Sequence, residues 1–431
     1  MKAIESFRMM KDRPFGFFLD SSLVDGKLGR WSFLGSDPFL VFKSKRDRIS
    51  LAWKDGRREE FRANPFAALS GIFSKFASPE RSDGVPFKSG GVGYFAYDLK
   101  DFVEDLPDIA RDDLDLPDCI MGFYDSVTAV DNMKEETPAV PVSPRKGASY
   151  SIGEIRSNFT RDSYIKTVER AKRYIKRGDI YQVNLSQRFE AGFEGDPFEL
   201  YRNLRELSPA PFSSYLNFGD CIVMSSSPER FLKVEGDYVE TRPVKGTRPR
   251  GSTAEEDARL EEELRSSPKD RAEHVMIVDL ERNDLGRICE YGTVSPEEFV
   301  ILETYAKVFH LVSTVSGRLR KGVTPVDCLR ATFPGGSITG APKIRSMEII
   351  EELEPVKRSV YTGAIGYMDF RGSMDTSITI RTFVLKGDRI YFQVGGGIVA
   401  DSDPGEEYQE TLDKAHALRD ILSLEREPIF S

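Results

Sequence analysis

The sequence predicts an α+β fold in which helices and strands are mixed without a regular βαβ rhythm. Through about the first 130 residues, short apolar runs alternate with turn residues, as they do in strands. Further along, amphipathic helices and strand-like runs both occur, but not at the even spacing of a doubly wound sheet. Hydrophobic residues make up 39% of the 431 residues, which is enough for a sizeable core.

Charge and cysteine content exclude several classes of protein. The 61 Lys and Arg against 70 Asp and Glu give a formal net charge of −9, whereas binding to a nucleic-acid backbone needs clustered cations. No apolar run approaches the ~18 residues of a membrane span, and Glu5 and Arg8 interrupt the stretch where a secretion signal is apolar. We therefore expect a cytoplasmic protein without nucleic-acid or membrane partners. Widely spaced cysteines predict free or buried thiols at Cys119, Cys221, Cys289 and Cys328.

The N-terminal region, residues 1–133, is predicted to consist mainly of strands and turns. Apolar runs bounded by turn residues predict strands at Phe15–Leu19, Trp31–Leu34 and Phe39–Phe42. Lys134–Ser157 is rich in Pro, Ser and charge, which is typical of a linker or a long surface loop. A main region, residues 158–425, follows it.

Helix-start signals predict three helices in the main region. Thr160 is suited to cap a helix that ends at Gly178, with Phe159 and Tyr164 as a hydrophobic staple. Ser267 and Pro268 are a cap and a first helical residue. That second helix is predicted to carry Ala272, Ile277 and Leu280 inward.

A last helix is predicted from Asp403 and Pro404, with Leu412, Ala415, Leu418 and Ile421 on one stripe. Strands are predicted between the helices, at Tyr181–Phe189, Ser359–Tyr367, Thr376–Leu385 and Arg389–Val394.

Three carboxylates are candidate ligands for a hard divalent cation. Glu407 and Glu410 are three residues apart and share one face near the start of the last helix. The alternative is a solvated acidic first turn that complements the helix dipole. Glu273 has apolar neighbours and needs a cationic partner if it is buried, and that partner is either a metal ion or an Arg.

Two glycine-rich segments and one basic segment are candidates for binding an anion. Pro334–Lys343 and Gly395–Asp401 allow close approach of backbone N–H groups, but neither matches a nucleotide-binding fingerprint. Glu240–Gly251 is either a solvated basic loop or a site for an anionic small molecule, with one amine as a nucleophile. Its cations are Arg242, Lys245, Arg248 and Arg250.

In the order of these motifs, the chain resembles the chorismate-utilising enzymes. The resemblance implies large antiparallel sheets packed as a sandwich core with helices outside. The N-terminal FFLDSSLVDGKLGRWSFLGSDPF is similar, less specifically, to the opening of the synthase components I of this family. The matching motifs are GDIYQVNLSQRF, SSSPERFLKV, TRPVKGTRPRG, KDRAEHVMIVDLERNDLG, HLVSTVSG, FPGGSITGAPKIRSMEIIEELEP, YTGAIGYMDF, MDTSITIRT and GGGIVADSDPGEEYQETLDKA.

The resemblance also implies roles for individual residues. Glu273, Glu407 and Glu410 match positions that bind Mg²⁺, directly or through water in the case of Glu407. A second set matches positions that line the chorismate site: Gly246, Thr247, His310, Ser337, Tyr361, Arg381, Gly395, Gly396 and Gly397.

Two positions indicate the branch of the family. Isochorismate and salicylate synthases resemble each other in having a Lys that activates water where this chain has Gln182, and an amide cannot accept that proton. The Pro-Val-Lys-Gly-Thr segment is similar to Pro-Ile-Lys-Gly-Thr of the aminodeoxychorismate synthases, whereas anthranilate synthases have Ala in place of Lys245. The resemblance thus implies that Lys245 attacks C2 of chorismate while Glu229 protonates the departing C4 hydroxyl.

A glutamine amidotransferase partner is expected to supply ammonia, because no cysteine lies in a Gly-x-Cys-x-Gly elbow. Three alternatives stay open at this point. The chain could be an anthranilate synthase component I, or a non-catalytic homologue that binds an aromatic amino acid. Glu229 could also form an ion pair with Arg230 or Arg242 instead of acting in catalysis.

Overall fold

Two large antiparallel sheets form the centre of the protein. The computed structural model describes residues 3–24, 27–79, 84–134, 150–305 and 308–423. Its helices are α1 (Ala3–Arg8), α2 (Pro65–Lys75), α3 (Arg161–Lys176), α4 (Pro197–Leu207), α5 (Ala254–Ser266), α6 (Pro268–Gly286), α7 (Pro325–Thr332), α8 (Lys343–Leu353) and α9 (Pro404–Ser423), with short 3₁₀ turns at Tyr97–Phe102 and Gly336–Ile338.

The strands are short in the N-terminal part and reach 14 residues in β11. They are β1 (Phe17–Asp20), β2 (Trp31–Gly35), β3 (Leu40–Lys45), β4 (Arg48–Trp53), β5 (Arg58–Arg62), β6 (Gly90–Phe95), β7 (Cys119–Tyr124), β8 (Thr128–Asp131), β9 (Tyr150–Ile152), β10 (Arg156–Ser157), β11 (Gln182–Gly195) and β12 (Phe212–Asn217). They continue with β13 (Cys221–Ser227), β14 (Arg230–Glu235), β15 (Tyr238–Arg242), β16 (Val244–Pro249), β17 (Ser295–Thr304), β18 (Val308–Arg318), β19 (Gly340–Ala341), β20 (Ala364–Asp369), β21 (Met374–Ile378), β22 (Thr382–Lys386) and β23 (Arg389–Ile398).

Each sheet combines strands from both sides of residues 134–157. The first sheet has the order β10-β11-β23-β22-β13-β12-β1-β2-β8, with β9 and β19 also paired to β11. The second has the order β16-β18-β15-β14-β21-β20-β6-β7-β3-β4-β5, with β17 paired to β18. Phe17 of β1 lies opposite Leu216, and Tyr94 of β6 lies opposite Ile365. N-terminal strands therefore occupy interior positions in both sheets.

Apolar side chains from the two sheets pack against each other and form the sandwich core. Phe17 and Val223 of the first sheet belong to the same buried cluster as Tyr94 and Ile120 of the second. On its other side the first sheet packs against α1, α4 and α9, while α2, α6 and α7 cover the second. The predicted α+β fold, with antiparallel sheets at the centre and helices outside, is confirmed.

The predicted helix starts are confirmed. The Thr160 side chain accepts a hydrogen bond from the Ser163 amide, and the Phe159 and Tyr164 rings lie 5.5 Å apart. The Ser267 side chain caps α6 by accepting from the Asp270 amide. One predicted inward residue of α6 is wrong, because Ala272 is exposed and His274, two positions later, is buried.

Two predicted strands are wrong in extent. Residues 359–363 form a turn rather than the first half of a strand, because Ser359 and Thr362 have left-handed backbone conformations, at φ 52° and 58°. The predicted strand Thr376–Leu385 is two strands in different sheets. Arg381, at φ 49°, lies where the chain leaves β21 and enters β22.

Most of the predicted linker lies outside the described residues, which resume at Tyr150 with β9 and β10. The four cysteines are buried free thiols, as expected. No helix in the described part of the chain is long and apolar enough to cross a membrane.

We expect the α3 cap to stabilise the protein measurably. Thr160→Ala removes the acceptor for the Ser163 amide and should lower the free energy of unfolding by about 1 kcal/mol. Urea denaturation would measure this loss. Thr128→Ala, at an exposed position of β8, is the matched control and should change the free energy by less than about 0.5 kcal/mol. Equal losses in the two variants would contradict the role of the cap.

Candidate active site

The candidate site lies where the ends of β16 and β23 meet helices α6 and α9. Helix α6 contacts β16, and α9 contacts β23, the strand that precedes it in the chain. Lys245 comes from β16, Glu273 from α6, and Glu407 and Glu410 from α9. Residues from three separate stretches of the sequence are thereby brought to one place.

Lys245 is an amine without a carboxylate partner within ion-pair distance among the described residues. Its pKa is lowered, chiefly by burial, and the positive charge of Lys414 adds to this effect. Glu273, Glu229 and Glu410 act in the opposite direction. A Cβ atom placed on Gly397 would lie 3.6 Å from Lys245 Nζ. The amine therefore faces the three glycines at the end of β23, Gly395–Gly397, which we call the glycine strand.

Repulsion by Arg242 and Arg248, which the sequence predicts as a cause of a lowered pKa at Lys245, is not among the main causes of the shift. Arg242 is paired with Glu303, Arg248 with Glu263 and Asp270, and Arg250 with Asp257. These carboxylates neutralise the three guanidinium groups within the protein. Of the four cations predicted in the basic segment, only Lys245 is therefore left to meet an external anion, within the described chain.

Glu229 is a buried carboxyl between β13 and β14. Ser337 Oγ donates a hydrogen bond to Glu229 Oε1 at 2.5 Å. Burial raises the pKa of Glu229 to about 7, while Ser337 and the charge of Lys245 oppose the rise. The suggested ion pairs with Arg230 and Arg242 do not form, because Arg230 pairs with Glu240 and Asp375, and Arg242 with Glu303.

Glu407 and Glu410 both approach the backbone of the glycine strand. A Cβ on Gly396 would lie 3.2 Å from Glu407 Oε2 and 3.3 Å from Glu410 Oε1, so any other residue there would require these carboxylates to shift by a few tenths of an ångström. Glu407 is buried and accepts a hydrogen bond from Ser402 at 2.6 Å. It is therefore not part of a solvated first turn.

Glu273 has no Arg partner within ion-pair distance in the part of the chain that is described. Burial raises its pKa, Lys245 opposes the rise, and Glu410 adds to it. Burial and Glu410 likewise raise the pKa of Glu407. Oxygen ligands of this kind suit Mg²⁺. A cation would also offset the cost of burying the carboxylates of Glu273 and Glu407.

The three carboxylates do not form a closed metal cage. Among the described residues, no three His, Cys, Asp or Glu side chains are close enough together to hold a metal ion by themselves. Mg²⁺ commonly uses one or two protein carboxylates and completes its octahedron with water and substrate oxygens. The donor set fits Mg²⁺ in that open form.

Arg381 supplies a second cation with no ion pair in the described structure. Its charge lowers the pKa of His310, whose value falls to about 3, mainly because the ring is buried. His310 Nδ1 shares a 2.8 Å hydrogen bond with Thr247 Oγ1, and the two residues are opposite each other in β18 and β16. Gly246, at φ 77°, forms the bulge between Lys245 and Thr247.

Tyr361 is connected to the site through a neighbouring arginine. It lies in the 359–363 turn, and its amide donates to the carbonyl of Arg358 at 3.1 Å. The Arg358 guanidinium lies 5.9 Å from the Tyr361 ring centroid.

The structure adds site residues that the sequence analysis missed. Lys414 donates to Glu410 Oε1 at 2.6 Å and to the carbonyl of Gly395 at 2.9 Å. Its spacing of four residues from Glu410 is a helix-pair signal that could have identified it. Glu281, whose pKa burial raises to about 8, accepts the Gly336 amide at 3.1 Å beside Ser337.

Gln182 is placed at the site by the same glycine strand. Both polar atoms of its buried amide lack a hydrogen-bond partner within the described structure. A Cβ on Gly397 would lie 2.8 Å from Gln182 Nε2. Gln182 therefore lies beside Gly397 of β23, the glycine that Lys245 also approaches.

The sequence of the whole region matches a known family. A family profile described as chorismate binding enzyme covers residues 37–420. The chain belongs to the chorismate-binding enzymes. Its core of two large antiparallel sheets agrees with that membership.

Relatives of this chorismate-binding enzyme have two different names. Anthranilate synthase component 1 of Acetivibrio thermocellus is 39% identical over 96% of this chain and 91% of its own. Aminodeoxychorismate synthase component 1 of Bacillus subtilis is 38% identical over 94% of this chain and 92% of its own. The crystal structure of anthranilate synthase component I from Streptococcus pneumoniae TIGR4 aligns with a TM-score of 0.80, at 34% identity, over 92% of this chain and 93% of its own. Overall identity does not separate the two activities.

The buried carboxyl of Glu229 should make stability depend on pH. Its pKa is about 7 in the folded protein against an ordinary 4.5, so the folded protein retains a proton that the unfolded chain releases between these values. The free energy of unfolding of the wild type should therefore fall, relative to that of Glu229→Gln, by about 3 kcal/mol as the pH rises through this interval.

Urea denaturation at a series of pH values would measure the difference. Glu255→Gln, which changes an exposed carboxyl in the first turn of α5, is the matched control and should leave the difference from wild type constant. A pH-independent difference for Glu229→Gln would show that Glu229 is not a buried neutral acid.

Proposed function

We propose that the protein is an aminodeoxychorismate synthase component I. It would convert chorismate and ammonia to 4-amino-4-deoxychorismate, the precursor of 4-aminobenzoate and folate. A glutamine amidotransferase subunit would supply the ammonia. The observation that carries the proposal is Lys245, a half-buried amine with a lowered pKa and no carboxylate partner within ion-pair distance in the described structure.

The charges of the site suit a dicarboxylate substrate. Arg381 would bind one carboxylate through its guanidinium, and the backbone of Gly395–Gly397 allows close approach of an anionic group. Glu273 and Glu410 would hold Mg²⁺, with Glu407 beside them as a direct or water-mediated ligand. When bound, the metal ion would neutralise a substrate carboxylate beside these acidic side chains.

In the proposed displacement, Lys245 is the nucleophile and Glu229 protonates the leaving group. The neutral amine of Lys245 forms a bond to C2, the two ring double bonds shift, and the C4 hydroxyl leaves as water with a proton from Glu229. Ammonia then bonds to C4, the double bonds shift back, and the C2–Nζ bond breaks. The surplus proton on the new amino group returns to the Glu229 carboxylate. Two easier steps thereby replace one difficult displacement.

Burial prepares both groups for these steps. A lysine with an ordinary pKa is almost fully protonated at neutral pH and cannot attack carbon. Desolvation raises the neutral fraction of Lys245, and it also keeps a large fraction of Glu229 protonated. Gln182 cannot act as a base toward water, which favours ammonia as the incoming nucleophile.

Anthranilate synthase component I is the second candidate, favoured by the names of several relatives at comparable identity. That enzyme uses the same substrate and type of partner but releases an aromatic product without a covalent lysine intermediate. Incubation of the protein with chorismate, Mg²⁺ and ammonium, with the product identified by mass, separates the candidates. Anthranilate as the main product would contradict our proposal.

We expect Lys245→Ala to fold and bind chorismate but to lose most aminodeoxychorismate formation, because alanine cannot be a nucleophile. Lys245→Arg should fail as well, because the guanidinium group stays protonated. Lys321→Ala, which removes an exposed amine beyond the end of β18, is the control and should retain wild-type activity. Product formation by the three variants would be followed by mass spectrometry.

Wild-type rates in Lys245→Ala would contradict covalent catalysis. A substrate-derived mass on Lys245, found with chorismate and Mg²⁺ but without ammonia, would support it.

We expect Glu410→Gln to weaken Mg²⁺ binding and reduce activity without unfolding the protein, because an amide is a poor substitute for an anionic ligand. Calorimetric titration with Mg²⁺ would measure the binding. Glu406→Gln, an exposed substitution one turn earlier in α9, is the matched control and should retain wild-type affinity. Unchanged Mg²⁺ affinity and activity in Glu410→Gln would exclude this residue as a ligand.

A further inference from the structure

Arg358 and Glu354 form a buried ion pair next to segments that carry residues of the candidate site. Arg358 follows α8 and is 2% exposed, and Glu354 is 4% exposed. Arg358 Nε and Nη2 donate to the two oxygens of Glu354 at 2.9 and 2.7 Å. This is the bidentate geometry in which a guanidinium is held most rigidly.

The remaining guanidinium donors hold two segments that carry site residues. Arg358 Nη1 donates to the carbonyl of Ile338 at 3.0 Å, and Nη2 donates to the carbonyl of Asn184 at 2.8 Å. Ile338 directly follows Ser337, the hydrogen-bond donor to Glu229. Asn184 lies opposite Gly397 in the pairing of β11 with β23.

Arg358 also supports the turn that carries Tyr361. Its guanidinium lies 4.8 Å from the Tyr97 ring centroid and 5.9 Å from that of Tyr361. Ser359 and Thr362 have left-handed backbone conformations in this turn, which persist only where the surroundings hold them.

Glu354 extends the same network into β11. Its Oε1 atom accepts hydrogen bonds from the Ser186 amide at 2.9 Å and from Ser186 Oγ at 2.8 Å. The polar atoms of Arg358 and Glu354 therefore form hydrogen bonds within the protein and do not face a ligand. Their effect on the site must act through Ser337, Asn184 and Tyr361.

We propose that Arg358 is a positioning residue that fixes the Ser337–Glu229 pair relative to the glycine strand. This inference rests on the proposed function, in which Glu229 donates a proton to the C4 hydroxyl. The glycine strand is also held by its long pairing with β11, whereas the turn at Gly336–Ile338 is three residues long and lies outside both sheets. Loss of the guanidinium should therefore displace Ser337 and Glu229 more than the groups that bind chorismate.

The test compares wild type with Arg358→Lys, which retains the charge but cannot hold Glu354, Ile338 and Asn184 together. Arg371→Lys is the matched control. Arg371 is also a largely buried arginine, paired with both oxygens of Asp369 at 2.8 and 2.9 Å, but it lies in the turn at the other end of β20.

Steady-state kinetics with chorismate should show the kcat of Arg358→Lys reduced about tenfold to hundredfold, because small misplacements of reacting groups have effects of this size. KM should stay within about threefold, since a change confined to the chemical step affects kcat. Arg371→Lys should retain both values. If Arg358→Lys does not fold, Glu354→Gln replaces it under the same criteria.

Hydrogen exchange followed by mass spectrometry gives a second measurement that does not need activity. Segments 332–342 and 183–187 should take up deuterium faster in Arg358→Lys than in wild type or Arg371→Lys. Unchanged uptake, a kcat within about twofold of wild type, or an equal loss in Arg371→Lys would overturn the inference. A wild-type protein that turns over no chorismate would refute the proposed function, and the exchange comparison would then decide the inference alone.

Discussion

The antiparallel pairing of β11 with β23 holds the site together. Its register runs from Val183 opposite Ile398 to Gly192 opposite Arg389. Three consecutive glycines at the end of β23 leave room for the carboxylates of α9 on one side and for Gln182 and Lys245 on the other. Because α9 begins soon after β23 ends, the position of this strand also determines where its glutamates lie.

The electrostatics of the site depend on which charges the protein neutralises internally. Three arginines of the basic segment have carboxylate partners, so a dense run of cations in the sequence yields one unpaired amine in the described structure. Arg381, on a different strand connection, is the second unpaired cation. The site also contains the carboxyls of Glu229 and Glu273, whose pKa values are raised by burial. A cation and an anionic ligand together would complete this arrangement.

Local sequence signals predicted the elements but not their connections. The caps at Thr160 and Ser267 depend only on residues close to them in the sequence, so the helix starts could be predicted. The break at Arg381 could not, because apolar alternation continues across residues 376–385 while the chain passes from one sheet to the other. Family motifs indicated Lys245 and Glu229 as candidates, and in the structure the charge of Lys245 acts on the pKa of Glu229. The partners of Arg358 could not be predicted, because the sequence does not show which distant carbonyls a buried arginine contacts.

The interior position of the N-terminal strands has a consequence for how the chain must fold. Strand β1 lies between β12 and β2, and β6 lies between β20 and β7. During synthesis these strands emerge first, yet their neighbours β12 and β20 are made much later. Until then β1 and β6 each have one unpaired edge, which is a template for association with other chains. High contact order of this kind slows folding, so the nascent protein should depend on protection from aggregation until its last strands are complete.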